Sequence, residues 1–228
     1  MSRVFYLLIA GLFLASGCAP VYIPSAPMVF NNDKKGDYSI NYRQGFYSSN
    51  LQVGYAVNDN LNVGGTLSSL YTGDASVGSV MYEGVRGIDF NAVVGYYNKF
   101  TEYNIFELNA GVGPIFMEEN LGLNNYLKAY IQPSITFNSR GKTRTDFTLL
   151  TRVVGTSFSD AFNKDTVVEL GYVEPVISLS IGNQLRFNTQ LGISLPVGQE
   201  YLRDYSPFIF NLGIGYTIPK SKKEVIEP

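Results

Sequence analysis

Leu51-Gln52-Val53-Gly54-Tyr55-Ala56-Val57, then Asn58-Asp59-Asn60, then Leu61-Asn62-Val63-Gly64-Gly65-Thr66-Leu67-Ser68: this stretch decides the fold. Its bulky apolar residues fall on every second position, with small or polar residues between them. A strand alternates faces with that period, and the Asn/Asp cluster favours a tight turn through side-chain bonds to its own backbone. The same unit recurs in both directions along the chain. Tyr38, Ile40 and Tyr42 alternate with Ser39, Asn41 and Arg43, and Ile88, Phe90, Ala92, Val94 and Tyr96 with Asp89, Asn91 and Gly95. Phe106, Leu108 and Ala110 oppose Glu107 and Asn109; Leu127, Ala129 and Ile131 oppose Lys128 and Tyr130; Phe147, Leu149 and Val153 oppose Asp146, Thr148 and Arg152. Further on, Val173, Ile177 and Leu179 oppose Glu174 and Ser178, Leu185 and Phe187 oppose Arg186 and Asn188, and Phe208 to Tyr216 closes the series. The pattern yields ten candidate strands, with eight as the alternative.

The connections alternate in length. Short ones lie at 58–60, 98–103, 138–142 and 182–183, long ones at 72–84, 117–124, 156–165 and 196–206, and 45–50 is short out of turn. Short turns at one end and longer loops at the other is the layout of an all-β, closed antiparallel up-and-down transmembrane β-barrel. A soluble lipocalin-like carrier of apolar ligands would alternate too, with its apolar face turned inward. Strands of about 9 to 12 residues suit a tilted bilayer crossing better than that alternative. Aromatic placement points the same way. Tyr38, Tyr55, Tyr96, Phe106, Phe137, Phe187 and Tyr216 share the apolar parity and lie near the short-turn ends, as an interfacial girdle requires.

Composition removes many functions. The chain has 228 residues, 17 Lys+Arg against 19 Asp+Glu, no His and one Cys. Without His there is no Ser-His-Asp triad, no Cys-His dyad and no His-ligated metal. A single Cys excludes an internal disulfide and any multi-Cys cluster. A net charge of −2 without a basic run argues against nucleic acid as a partner.

The N-terminus carries a different signal. Arg3 precedes an apolar run, Val4 to Leu14, too short to span a bilayer, and the small residues Ala15, Ser16 and Gly17 follow. That is the form of a secretory signal peptide. Residues 19–36 hold Pro20, Pro24 and Pro27, a spacing that favours an extended tether. The expected organisation is a signal peptide over 1–17, a periplasmic tether over 18–36, the barrel over 37–218 and a charged tail over 219–228. Lys220, Lys222 and Lys223 of that tail read as solvated.

Leu14-Ala15-Ser16-Gly17-Cys18 resembles the lipobox of bacterial lipoproteins, although Leu stands one position further from the cysteine than usual. The resemblance implies cleavage before Cys18 and acylation of its thiol, with palmitate among the attached chains. The strand pattern as a whole resembles the small outer-membrane β-barrel proteins of Gram-negative bacteria. Members of that group often end in an aromatic residue that serves as an assembly signal, whereas here a tail follows Tyr216. The resemblance implies the outer membrane as location, and the lipid bilayer, the barrel assembly machinery and the lipoprotein sorting machinery as partners. Both termini and the short turns would then face the periplasm.

The lumen parity carries Arg43, Lys128, Arg152 and Arg186 against Asp89, Glu107, Asp146 and Glu174. Buried charges of balanced sign read as a structural ion network, since unpaired ones would be costly. Arg152 and Glu174 fall on neighbouring strands at similar height. No catalytic residue, metal site or cofactor is expected, and the loop acids Asp74, Glu83, Glu118 and Glu119 follow no calcium-loop spacing. The expected function is non-enzymatic, a structural or surface-binding role through the long loops, with a narrow small-solute channel as the rival.

Overall fold

The computed structural model describes residues 22–30, 32, 34–71, 75–77, 80–82, 86–101, 103–117, 126–140, 143–159, 167–197 and 208–219. Cys18, the four loop acids and the three tail lysines lie outside them. The strands are β1 (Tyr38–Gly45), β2 (Ser48–Ala56), β3 (Leu61–Tyr71), β4 (Ala75–Val77), β5 (Val80–Tyr82), β6 (Arg86–Lys99) and β7 (Asn104–Met117). They continue as β8 (Tyr126–Arg140), β9 (Arg144–Ser159), β10 (Val167–Gly182), β11 (Leu185–Ile193), β12 (Leu195–Val197) and β13 (Phe208–Ile218).

Eleven of these strands form one sheet in which β1, β2, β3 and β6 to β10 follow in chain order, while β4 and β5 make a separate hairpin. β11 and β12 both pair with β10 and are one stave interrupted at Ser194, so the wall has ten staves. The last stave pairs with the first, Tyr38 opposite Ile218 and Gly45 opposite Asn211, which closes the barrel. Every neighbouring pair is antiparallel. Ten staves, and not eight, is the arrangement.

Two glycines take up positive φ at this end of the barrel. Gly182 has φ +131°, and a Cβ there would lie 2.0 Å from the Leu185 carbonyl, so only glycine serves the turn into β11. Gly36 has φ +88° where the chain bends into β1. One mouth of the barrel therefore carries the short turns, the start of β1 and the end of β13. The other carries the longer connections and the Phe46-Tyr47 turn. These are the turn mouth and the loop mouth.

The alternation is inverted relative to a soluble protein. Ile40, Leu51, Val53, Phe90, Val94, Val112, Ile131, Leu149, Ile177, Leu191 and Ile214 are exposed on the outside, while Asn41, Gln52, Asp89, Asn109, Gln132 and Glu174 are buried within. This excludes the lipocalin-like carrier, whose lumen must be apolar. The seven girdle aromatics all point outward at the turn mouth, with Tyr38 and Tyr55 in ring contact at 4.6 Å. On the outer face Pro133, Thr151 and Pro175 lie side by side across β8, β9 and β10. They are the floor of an apolar groove of about 1130 Å³ walled by Phe46, Phe106 and Phe210.

The interior corrects the expectation for the N-terminal segment. Residues 22–30 are extended, as their prolines dictate, but they are not a periplasmic tether: all nine are buried in the lumen. The physical reason is their composition. Tyr22, Ile23, Met28, Val29 and Phe30 are too apolar for a solvated linker, and each enters a buried cluster. Phe30, Met28 and Tyr22 pack with Val93, Tyr130, Val154 and Tyr172, Ile23 with Leu70, Ile115, Met117 and Tyr126, and Val29 with Leu150, Val176 and Ile209. Room for the Phe30 ring comes from lumen-facing Gly54, Gly64 and Gly95, where an added Cβ would come within 2.6 to 2.9 Å of it.

Truncating this anchor tests the packing. Phe30→Ala should lower unfolding stability by about 3–5 kcal/mol, read by denaturant titration of the detergent-solubilised barrel, and Gly54→Val should have a similar effect by expelling the ring. A change under about 1 kcal/mol in both would mean that the ring is not seated there.

Candidate functional site

Beyond an isolated bridge at Tyr22 the extended segment makes no ladder, so the backbone groups of residues 23–30 need side-chain partners. The wall supplies them at successive heights. Gln132 Nε2 donates to the Met28 carbonyl at 2.6 Å. The Pro27 carbonyl accepts from Arg43 Nη1 at 3.0 Å, Gln190 Nε2 at 3.2 Å and Gln52 Nε2 at 3.3 Å. Gln52 also donates to the Ala26 carbonyl at 2.9 Å, and the Ala26 amide donates to Asn50 Oδ1 at 2.9 Å. Arg152 Nη2 donates to the Ser25 carbonyl at 2.7 Å, and Lys128 Nζ to the Ser25 hydroxyl at 3.1 Å. Tyr22 donates from its hydroxyl to Glu174 Oε1 at 2.8 Å while its ring stacks on Tyr172 at 4.0 Å.

The eight lumen charges read from the sequence are all buried, and most of them sit in pairs. Arg152 meets Glu174 at 2.6 Å across the β9–β10 ladder, where the two are direct register partners. Lys128 on β8 is paired with Asp89 on β6, across Gly113 of the intervening β7. Arg186 Nη1 meets Asp146 at 2.7 Å, and Arg144 Nε, which the sequence reading passed over, meets the same carboxylate at 2.7 Å. Arg43 differs from expectation: it is bonded to the Pro27 carbonyl and to Gln52 rather than to a carboxylate. Glu107 accepts from Ser134 Oγ at 3.5 Å. The charges thus serve two tasks, neutralising one another and holding the strand.

The wall side chains close tightly on the strand, and those that bond residues 25–28 are themselves buried. A polar void of about 10 Å³ lies among Phe30, Arg43, Glu107, Asp146 and Asn188, the room of about one water. Asp89, Asp146 and Glu174 are each committed to a cation, and the Glu174 carboxylate also takes bonds from Tyr22 and from Ser194 Oγ at 3.1 Å. Among the described residues, no three His, Cys, Asp or Glu side chains come together as a metal site. What the geometry does chemically is hold a plug.

The residues that make this site, and that sequence reasoning missed, are Tyr22, Ser25, Ala26, Pro27 and Met28 on the strand and Asn50, Gln52, Gln132 and Gln190 on the wall. One signal for them was on the page. A linker meant for solvent has no use for Tyr22-Ile23 before Pro24 and Met28-Val29-Phe30 after Pro27.

No family model matches the chain, and no curated protein matches its sequence. Among solved structures, LpxR from Salmonella typhimurium is similar at 8% identity over 80% of this chain and 99% of that one, with a TM-score of 0.41. At that distance no residue role carries over.

The Arg152–Glu174 pair is open to a double-mutant cycle. Arg152→Ala and Glu174→Ala should each cost about 3–5 kcal/mol, because each strands a buried charge. The double variant should cost less than the sum by more than about 1 kcal/mol. Additive losses would show that the two groups do not depend on one another.

Proposed function

We propose that the protein is an outer-membrane β-barrel lipoprotein without enzymatic activity, closed by its own N-terminal strand, that acts in the envelope through the long loops at one mouth. The observation that carries this reading is the filled lumen. Residues 22–30 run through it buried, with the carbonyls of residues 25–28 bonded to the wall, and the void beside Phe30 admits about one water. A pore needs a continuous wet path, and a barrel enzyme needs an open site with an uncommitted acid or base. Here Asp89, Asp146 and Glu174 are held in ion pairs and Glu107 accepts from Ser134.

Membrane insertion is supported by the outer surface. Soluble monomers rarely expose contiguous apolar patches beyond a few hundred Å², whereas this barrel is apolar around its circumference and carries Tyr38, Tyr96, Phe137, Phe187 and Tyr216 exposed at one rim. Acylation of Cys18 is supported by its position at the end of a signal-like segment and by its being the only cysteine. With the chain secured in a barrel, one lipid adds little to membrane affinity, so its role is sorting or orientation. Short turns facing the periplasm and long loops facing outward follow the usual layout of such barrels.

Two experiments test the reading. The purified full-length protein in a planar bilayer should show no steady conductance, whereas reproducible ion-selective current altered by Glu174→Gln would make it a channel. Intact-mass analysis of the membrane-extracted protein should give a chain that begins at an acylated Cys18. A mature N-terminus elsewhere, or a free thiol, would remove the lipoprotein part.

A further inference from the structure

The strand in the lumen has a direction, and the direction can be read from its neighbours. Its C-terminal end lies at the turn mouth. Asn32 is bonded to Asn62 at 3.2 Å, the Gly36 amide to the Ala56 carbonyl at 2.8 Å, and Phe30 lies against Gly54, Gly64 and Gly95. All of these wall positions are near the turn-mouth ends of β2, β3 and β6. Ala26, further back in sequence, is level with Asn50 and Gln52, above the middle of the short β2. Ile23 packs against Leu70, Ile115, Met117, Tyr126 and the half-buried Tyr47. Those five belong to the last residues of β3 and β7, the first of β8 and the β1–β2 turn, and all are at the loop mouth. Going backwards along the chain, the strand climbs from the turn mouth to the loop mouth.

We propose that the chain threads its own barrel, so that its N-terminal side leaves at the loop mouth, on the membrane face opposite to the end of β13 at Ile218. For one consequence this rests on the reading given above: the lipid on Cys18 then inserts beside the long loops, in the leaflet at the cell surface, and not in the periplasmic leaflet that the sequence alone suggested.

Two constraints prevent the N-terminus from returning to the turn mouth. The first is reach. Cys18 stands four residues before Tyr22, and four extended residues cover about 14 Å, whereas the path from Tyr22 to Phe30 is about 27 Å at strand rise. The second is room, because the lumen already holds one strand, buried over residues 22–30 against the wall side chains. Between the turn mouth and the break at Ser194 a lateral exit is closed by the paired ladders of the wall. The same constraints mean that an acylated end cannot be drawn through the finished barrel, so the sheet must close β1 against β13 around the strand.

The test places reporters on either side of the strand in the full-length protein in cells. Pro20→Cys and Lys220→Cys are probed with a membrane-impermeant maleimide, before and after permeabilising the outer membrane. An epitope inserted after Ala19 gives the same comparison independent of thiol reactivity. Position 20 and the epitope should be reached on intact cells, and position 220 only after permeabilisation. Reaching positions 20 and 220 under the same condition would overturn the threading. The mirror result, with position 220 reached first, would support the threading and overturn the orientation in the membrane. The unsubstituted protein is the control. Its labelling at Cys18 would count against acylation alone and leave the threading to be judged by the other two reporters.

Discussion

An extended strand sealed inside a tube has no neighbour of its own kind, and every carbonyl it buries must be met by a side chain or cost about 1–3 kcal/mol. That constraint explains the wall of this barrel better than any property of the wall itself. The donors that reach the lumen axis are long, Arg43, Gln52, Gln132, Arg152 and Gln190, and each of them ends on a carbonyl of residues 25–28. The guanidinium that serves Ser25 is kept neutral overall by Glu174, and Glu174 in turn accepts from Tyr22. The ion pairs are therefore linked to the strand and not only to each other. Where the strand needs space instead of bonds, the wall presents glycine.

Much of the fold was legible because a barrel stave is a long, regular signal. Period two from Tyr38 to Ile218, short polar turns and outward aromatic residues each reported a local property, and closure of β13 on β1 added no new kind of information. The eight lumen charges followed from the same parity. Their partners were less accessible. Arg152 and Glu174 are register neighbours and could be anticipated, but Lys128 reaches Asp89 across an intervening stave, which no spacing along the chain reveals. The strand was missed because its prolines dominate its pattern. Extended conformation is correctly implied by Pro24 and Pro27, yet it says nothing of whether the segment lies in water or in a lumen. Only the apolar residues on either side of them, Tyr22, Ile23 and Met28 to Phe30, carried that information.

A barrel filled by its own chain commits the side chains of its lumen to holding that chain. Its pairs of buried charge fix the position of the strand, and in a medium of low dielectric they do so at high cost if broken. What remains for interaction is the two mouths and the apolar exterior with its groove at Pro133, Thr151 and Pro175. The strand also couples these regions. Ile23 lies beneath the loop mouth and Phe30 above the turn mouth, so a pull at one end is resisted along the whole height of the wall.

Amide hydrogen exchange of residues 25–29 in the detergent-solubilised protein addresses the plugged lumen most directly. The Ala26 amide, bonded to Asn50 and buried beneath the Gln52 and Arg152 side chains, should exchange as slowly as the amides of β2 and β9. Exchange of residues 25–29 at the rate of a free peptide, with β2 and β9 still protected, would contradict the account by showing that the segment spends its time outside the barrel.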